Sequence, residues 1–247
     1  MKPDKVKHDP VFMREHWESE ATGYVLERQF SSVDVKVVET LRMKSGERLL
    51  EIGFGSCITA PALLQAYPGT KYYGLDLADK FIEIGRRRGL PDAHFLNGSA
   101  AQLPFAAGSF DALLEMDAIH HFPQEHLPGV LVEISRVLRP AGRLLLVEDW
   151  AAAPENERER LMDRLQRRRY LTRRGLEYHP SETEWTAMLE RAGFELVDLT
   201  RIARPLNFGR FDELDDPEAR AELSRLRKLW GQEQPTTRMN LFYVRRR

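Results

Sequence analysis

The stretch Arg48-Leu-Leu-Glu-Ile-Gly-Phe-Gly-Ser-Cys57 decides the fold. Its apolar run reads as a buried strand over residues 48–52 that meets an acid and two closely spaced glycines. A turn at the carboxyl edge of a parallel strand must let the backbone approach a ligand, and a Cβ at Gly53 or Gly55 would obstruct that approach. Asp76 closes the next strand, read over 71–76, about 20 residues beyond the glycines. Strand, glycine turn, helix and a second strand ending in a carboxylate form the half-fold that grips the ribose of a nucleotide or nucleoside. Taken singly, the same features describe an ordinary strand-to-helix turn and a helix cap. The conjunction of acid, glycines and register favours a cofactor site.

Working outward, the spacing predicts helices over 57–66 and 79–88 and strands over 93–96, 110–115 and 143–149. A helix over about 124–138 is closed by Arg139-Pro-Ala-Gly142. Such alternation calls for a parallel sheet covered on both faces. Upstream, Val33, Val37, Val38 and Leu41 recur at helical spacing over 32–43. Residues 1–30 are polar but interleaved with Phe12, Trp17, Tyr24 and Phe30, which reads as a docked flap. Downstream, arginine-dense residues 154–180 carry Leu161, Leu165, Tyr170 and Leu171 as an apolar stripe. Ser181 and Glu184 are spaced as a capping box for a helix ending before Gly193. Strands over 194–203 and 239–244 finish the chain. The organisation is one domain over 31–247 with a flap at 1–30 and cap insertions at about 151–180 and 204–236.

With 37 Lys plus Arg against 38 Asp plus Glu, the net charge of -1 supplies no global field towards nucleic acid or an anionic membrane. The only cysteine, Cys57, has no internal disulfide partner. The charged start Met1-Lys-Pro-Asp-Lys5 lacks a signal-peptide stretch, and no apolar run reaches the roughly 18 residues that span a bilayer. A soluble cytoplasmic protein is expected, with its oligomeric state left open.

Two cofactor classes share this layout. The dinucleotide pattern G-x-G-x-x-G needs glycine where this chain has Ile58, which counts against NAD. Glu51-Ile-Gly-Phe-Gly55, Tyr73-Gly-Leu-Asp-Leu77, Gly98-Ser-Ala-Ala-Gln-Leu-Pro-Phe105 and Gly108-Ser-Phe-Asp111 instead form a motif series, continued by His120-His121-Phe122 and Leu138-Arg-Pro-Ala-Gly-Arg-Leu144. Over about residues 45–203 the chain resembles the class I S-adenosylmethionine-dependent methyltransferases, closest to the small-molecule group that includes the quinone-biosynthesis enzymes. The resemblance implies a doubly wound α/β fold, a mostly parallel seven-stranded Rossmann-like sheet with one antiparallel strand and helical insertions forming a cap. It also implies transfer of a methyl group from S-adenosyl-L-methionine, by in-line displacement, to an apolar or aromatic small-molecule acceptor.

Carried over by residue, the resemblance makes Glu51 the carboxylate that organises the turn near the methionine moiety. Gly53 and Gly55 wrap the methionine end, Asp76 takes the ribose hydroxyls, and Leu77 lies against adenine. Ser99 and Ala100 meet the adenine edge, and Glu115 sits where the fourth strand opens towards the sulfonium. Two positions depart from the family: Cys57 replaces its third glycine, and Ser99 an acid often found there.

On the acceptor side, His120 and His121 follow the fourth strand at the ligand edge, where either could serve as a base or as a turn and packing residue. Trp150 ends the fifth strand and could wall an aromatic acceptor or pack in the core. No metal site is expected, because His120, His121 and His126 lack a recognised ligand spacing. The arginines of 158–174 fit a solvated helix, or a lid over an anionic substrate. Glu115-Met-Asp-Ala118 lacks the Asn-Pro-Pro-aromatic pattern of enzymes that methylate base nitrogens. Three alternatives remain: a same-fold enzyme catalysing a non-methylating reaction, a cofactor-binding regulatory protein with a degenerate site, and an NAD-dependent oxidoreductase.

Overall fold

In the computed structural model, which describes residues 10–149, 154, 156–172, 178–206, 208–212, 214–233 and 235–247, the alternation resolves into one sheet. The elements, in chain order, are α1 (Pro10–Glu27), α2 (Ser32–Leu41), β1 (Arg48–Ile52), α3 (Ala60–Ala66), β2 (Lys71–Asp76), α4 (Asp79–Arg87), β3 (Ala93–Asn97) and β4 (Phe110–Met116). There follow α5 (Leu127–Val137), β5 (Leu138–Asp149), α6 (Glu157–Thr172), α7 (Glu182–Arg191), β6 (Phe194–Pro205), α8 (Pro217–Trp230) and β7 (Thr236–Arg246). The seven strands lie in the order β3-β2-β1-β4-β5-β7-β6, with β7 antiparallel to both neighbours and the other pairs parallel. The order reverses between β1 and β4. The carboxyl ends of those two strands therefore flank the crevice in which open α/β sheets bind ligands.

Both faces of the central strands are apolar because helices cover them on both sides, whereas β6, at the sheet edge, is largely exposed. Leu50, Ile52, Leu113, Leu144, Leu146 and Phe242 pack beneath α5 and α7, where Ile134 and Trp185 are fully buried. Leu49, Leu114, Leu145 and Val147 face the opposite layer of α2, α3 and α4, with Val37, Leu63 and Phe81. A separate cluster, Leu161, Leu165, Phe211, Leu223 and Leu226, joins α6, α8 and a short 3-10 turn at Phe208–Phe211. The capping box of α7 forms as its sequence spacing requires: Ser181 Oγ accepts from Glu184 N–H, and Glu184 Oε2 accepts from Ser181 N–H at 2.7 Å. At α2, Asp34 Oδ2 likewise accepts from Ser31 N–H at 2.8 Å.

Several boundaries differ from the sequence pattern. Helix α3 starts at Ala60, not near 57, because residues 53–57 are taken up by the glycine turn. Helix α5 starts at Leu127. Arg139-Pro-Ala-Gly142 does not close α5 but belongs to β5, whose register against β4 jumps from Phe110↔Leu138 to Ala112↔Arg143. Ala141 (φ 61°) sits inside that irregularity, so a turn-rich tetrapeptide is absorbed as a bulge. Strands β6 and β7 also extend further than 194–203 and 239–244, pairing out to Pro205↔Thr236. Trp150 lies outside the described residues, as do Arg173, Arg174 and the side chains of Tyr170 and Leu171. Among the described residues, no helix is long and apolar enough to cross a membrane.

Candidate active site

The turn after β1 runs through three left-handed residues, Gly53 (φ 67°), Gly55 (φ 48°) and Cys57 (φ 54°). At Gly53 a Cβ would stand 2.3 Å from the Cβ of Ala118, so the turns after β1 and β4 nest only without a side chain there. Cys57, which the resemblance places at a third glycine, thus carries the conformation that glycine favours and adopts it at a cost of about 1–2 kcal/mol. Its side chain is fully buried, and burial pushes the thiol up to about 12.

Asp76 ends β2 directly beneath this turn. Its Oδ2 accepts from Gly55 N–H at 3.0 Å and its Oδ1 from Ala78 N–H at 3.2 Å. Burial pushes the carboxyl up to about 6, against the opposing pull of those backbone donors. Gly53, Gly55, Asp76, Leu77, Ser99 and Ala100 all line one cleft with about 920 Å³ of empty space, part of it open to solvent. Ser99 keeps its hydroxyl in local structure, where Oγ accepts from Ala101 N–H at 3.2 Å.

Two of the expected cofactor residues do not line the cleft. Glu51 is buried on the opposite face of β1, where its Oε2 accepts from the Tyr72 hydroxyl at 2.6 Å; burial pushes it up to about 7. Glu115 is fully buried behind the turn after β4, and its Oε1 accepts from Ala118 N–H at 2.7 Å and Ile119 N–H at 2.9 Å. Burial, reinforced by the neighbouring Glu148, holds Glu115 well above the usual carboxylate range.

Helix α1 forms the outer wall. Met13, Trp17 and Tyr24 line the cleft together with Phe81 of α4. Trp17 stands edge-on to Tyr24 (centroids 5.9 Å apart) and to His121 (5.1 Å). The helix is pinned at its polar side, where Glu18 accepts from the backbone N–H of Asp79 and Arg14 pairs with the Asp79 carboxylate. Glu18 thereby caps the amino end of α4 from 61 residues away. Nothing local in the sequence signals such a long-range cap.

The structure gives the paired histidines different surroundings. His121 is half-buried and lines the cleft beside Asp117, Phe122 and Pro123. His120 is buried behind it, with Nδ1 2.8 Å from Glu148 Oε2 and its ring stacked on His179 at 4.7 Å. Asp117, which sequence reasoning did not single out, lines the cleft and pairs through Oδ2 with Arg204 of β6 at 2.7 Å. Burial opposes its ionisation, but the charges of Arg204 and His120 hold its carboxyl below the usual value. Although chain spacing pointed to no metal site, Asp117, His120 and Glu148 come together from the ends of two strands.

Arg158, Arg164 and Arg168 of α6 face α8 and its surroundings. Arg168 pairs with Asp216 and Glu218, Arg164 with Glu222, and Arg158 with Glu233. This is the solvated, ion-paired alternative for that helix, and these three arginines are not among the residues lining the cleft.

Residues 50–146 match the family model described as a methyltransferase domain. Over 101 residues the chain is 41% identical to the phthiotriol/phenolphthiotriol dimycocerosates methyltransferase of Mycobacterium leprae, a match covering 40% of this chain and 37% of that protein. Over 104 residues it is 36% identical to the fatty-acid O-methyltransferase of Mycolicibacterium smegmatis, covering 42% of this chain and 37% of that protein. The chain thus spans less than two fifths of either relative's length. Among solved structures, the cyclase SpnF superposes with a TM-score of 0.68 at 17% identity, over 97% of this chain and 96% of that one. At that identity the likeness concerns the fold, and a fold does not fix chemistry.

Proposed function

We propose that this chain, which carries a methyltransferase domain over residues 50–146, transfers the methyl group of S-adenosylmethionine to an apolar, lipid-like small molecule. The observation that carries the proposal is Asp76, a buried carboxylate lining an otherwise largely apolar cleft beside two left-handed glycines, at the point where the strand order reverses. A buried acceptor of two hydrogen bonds beside a closely approachable backbone matches a nucleoside, and the apolar walls at Leu77, Ala100 and Phe122 match a flat base.

In this scheme Asp76 accepts from the ribose hydroxyls, Leu77 covers the adenine, and Ser99 and Ala100 border its edge. Gly53 and Gly55 leave room for the amino-acid end. Glu51 and Glu115 act from behind, Glu51 braced by Tyr72 beneath the turn and Glu115 fixing the loop that carries Ala118 and Ile119. When bound, S-adenosylmethionine supplies a methyl group on a sulfonium that is already a good leaving group. The protein therefore has mainly to align the acceptor and exclude water. Trp17, Tyr24 and Phe81 exclude water along the outer wall, and His121 faces the cleft as the base for a hydroxyl or carboxyl acceptor. His120 supports that loop from behind and does not reach the cleft lining.

The apolar wall of Met13, Trp17, Tyr24, Phe81 and Phe122 suits a hydrocarbon-bearing acceptor, and the two relatives named above are named for lipid substrates. Residues 1–30 serve as a flap, the insertions at 151–180 and 204–236 as a cap, and the site of action is the cytoplasm. Nucleic acid is not the acceptor. Incubation with methyl-labelled donor and a panel of fatty acids and hydroxylated lipids tests this directly. Label in an extracted lipid product supports it; donor binding with no label in any lipid refutes the acceptor class.

A further inference from the structure

Behind the histidine that faces the cleft lies a polar group that methyl transfer does not use. Asp117, His120 and Glu148 each place one ligand-capable atom within 4.8 Å of the other two. His120 Nδ1 and Glu148 Oε2 are 2.8 Å apart. Two donors at right angles on one ion, each about 2.1 Å from it, lie about 3 Å apart, so this pair already has the spacing of adjacent ligands. His179, stacked on His120 at 25° between ring planes, fixes the plane of the imidazole. Arg204 fixes the Asp117 carboxylate through Oδ2. Such supporting contacts are how metal ligands are oriented.

A second observation comes from the neighbouring strand. Asn240 of β7 is the antiparallel register partner of Glu148, so the two side chains leave the same face of the sheet side by side. Asn240 is fully buried, and neither its Oδ1 nor its Nδ2 has a hydrogen-bond partner. Glu115 Oε2, on the same layer, is also buried and unpartnered. Buried amides and carboxylates are almost always satisfied, and their concentration beside an imidazole and two carboxylates calls for a polar occupant.

We propose that Asp117, His120 and Glu148, with the Asn240 amide oxygen, bind one divalent metal ion of the Mn²⁺, Fe²⁺, Co²⁺ or Zn²⁺ class. One imidazole nitrogen among oxygen donors selects these ions over Ca²⁺ and Mg²⁺, which take oxygen alone. Asp117 also lines the cleft, so the ion borders the acceptor space. The inference stands apart from the methyl-transfer proposal, since the ion needs neither donor nor acceptor to bind.

The test uses the full chain, with any affinity tag removed, stripped with a chelator and titrated with Co²⁺ by visible absorption and equilibrium dialysis. One Co²⁺ per chain is expected, with binding weakened at least about tenfold in His120→Gln and in Glu148→Gln. His126→Gln, at an exposed histidine, should bind as the wild type does. Equal Co²⁺ affinity in wild type and His120→Gln, or no binding at about 1 mM, overturns the proposal. If either variant fails to fold, X-ray absorption of the Zn²⁺-loaded wild type decides. One imidazole among oxygen donors supports the assignment, and an all-oxygen or multi-imidazole shell overturns it.

Discussion

Lowering the pH should loosen the grip on the methyl donor through a single carboxyl. In the proposed site Asp76 accepts two ribose hydroxyls best when ionised, yet burial pushes it up to about 6, while the N–H groups of Gly55 and Ala78 pull the other way. At pH 8 nearly all of it is ionised; at pH 5 only about one part in ten is, so the apparent Kd rises about tenfold. Calorimetric titration of S-adenosylhomocysteine from pH 5 to 8 reads this slope. Asp76→Asn should flatten the Asp76 component and bind more weakly throughout; Asp76→Ala should cost about 1–3 kcal/mol, the scale of lost hydrogen bonds to a charged group. A flat profile in the wild type would show that ionisation of Asp76 does not bear on binding, and an unchanged slope in Asp76→Asn would assign the slope to another group.

Glu51 sets a stability slope of its own. Its folded value of about 7 lies above the ordinary 4.5, so the folded state holds the proton more tightly, and stability falls as pH rises from 4.5 to 7. The loss above pH 7 is about 3 kcal/mol. Glu51→Gln should flatten that fall in urea denaturation at pH 5 and 8, and an unaltered slope would acquit Glu51. Asp76 adds a fall of the same sign between 3.8 and about 6. Cys57, fully buried and pushed up to about 12, should react with a thiol reagent at neutral pH only on unfolding; stoichiometric labelling of the native chain would contradict its placement. Leu165→Ala, in the separate cluster under α6, should cost about 2–5 kcal/mol on thermal or urea unfolding while leaving donor affinity unchanged. A matched loss of donor affinity would tie that cluster to the site.

The half of the site that was legible in the sequence is the half built from local chain. Gly53, Gly55, Asp76, Leu77, Ser99 and Ala100 come from consecutive strand ends along one sheet edge, so their spacing already reports their proximity. Glu51 and Glu115 belong to the same motifs but are turned away from the cleft. Alternation explains the first: Leu50 and Ile52 share one core, and the residue between them must face the other. The pairs His120–Glu148 and Arg204–Asp117, and the Glu18 cap on α4, join residues 28, 87 and 61 apart, and no periodic signal marks them. The same limit hid the Asp117, His120 and Glu148 cluster, since ligand spacing along a chain finds only sites built on one element. Arg139-Pro-Ala-Gly142 misled for a different reason: a bulge and a helix stop draw on the same residues.

Titrating S-adenosylhomocysteine into the wild-type protein at pH 8, by calorimetry, bears most directly on whether the first crossover holds an adenosine-containing donor. One site per chain with a Kd well below about 1 mM, that is, tighter than about -4.1 kcal/mol, is the expected result. No heat of binding for either S-adenosylhomocysteine or S-adenosylmethionine at that concentration would contradict it.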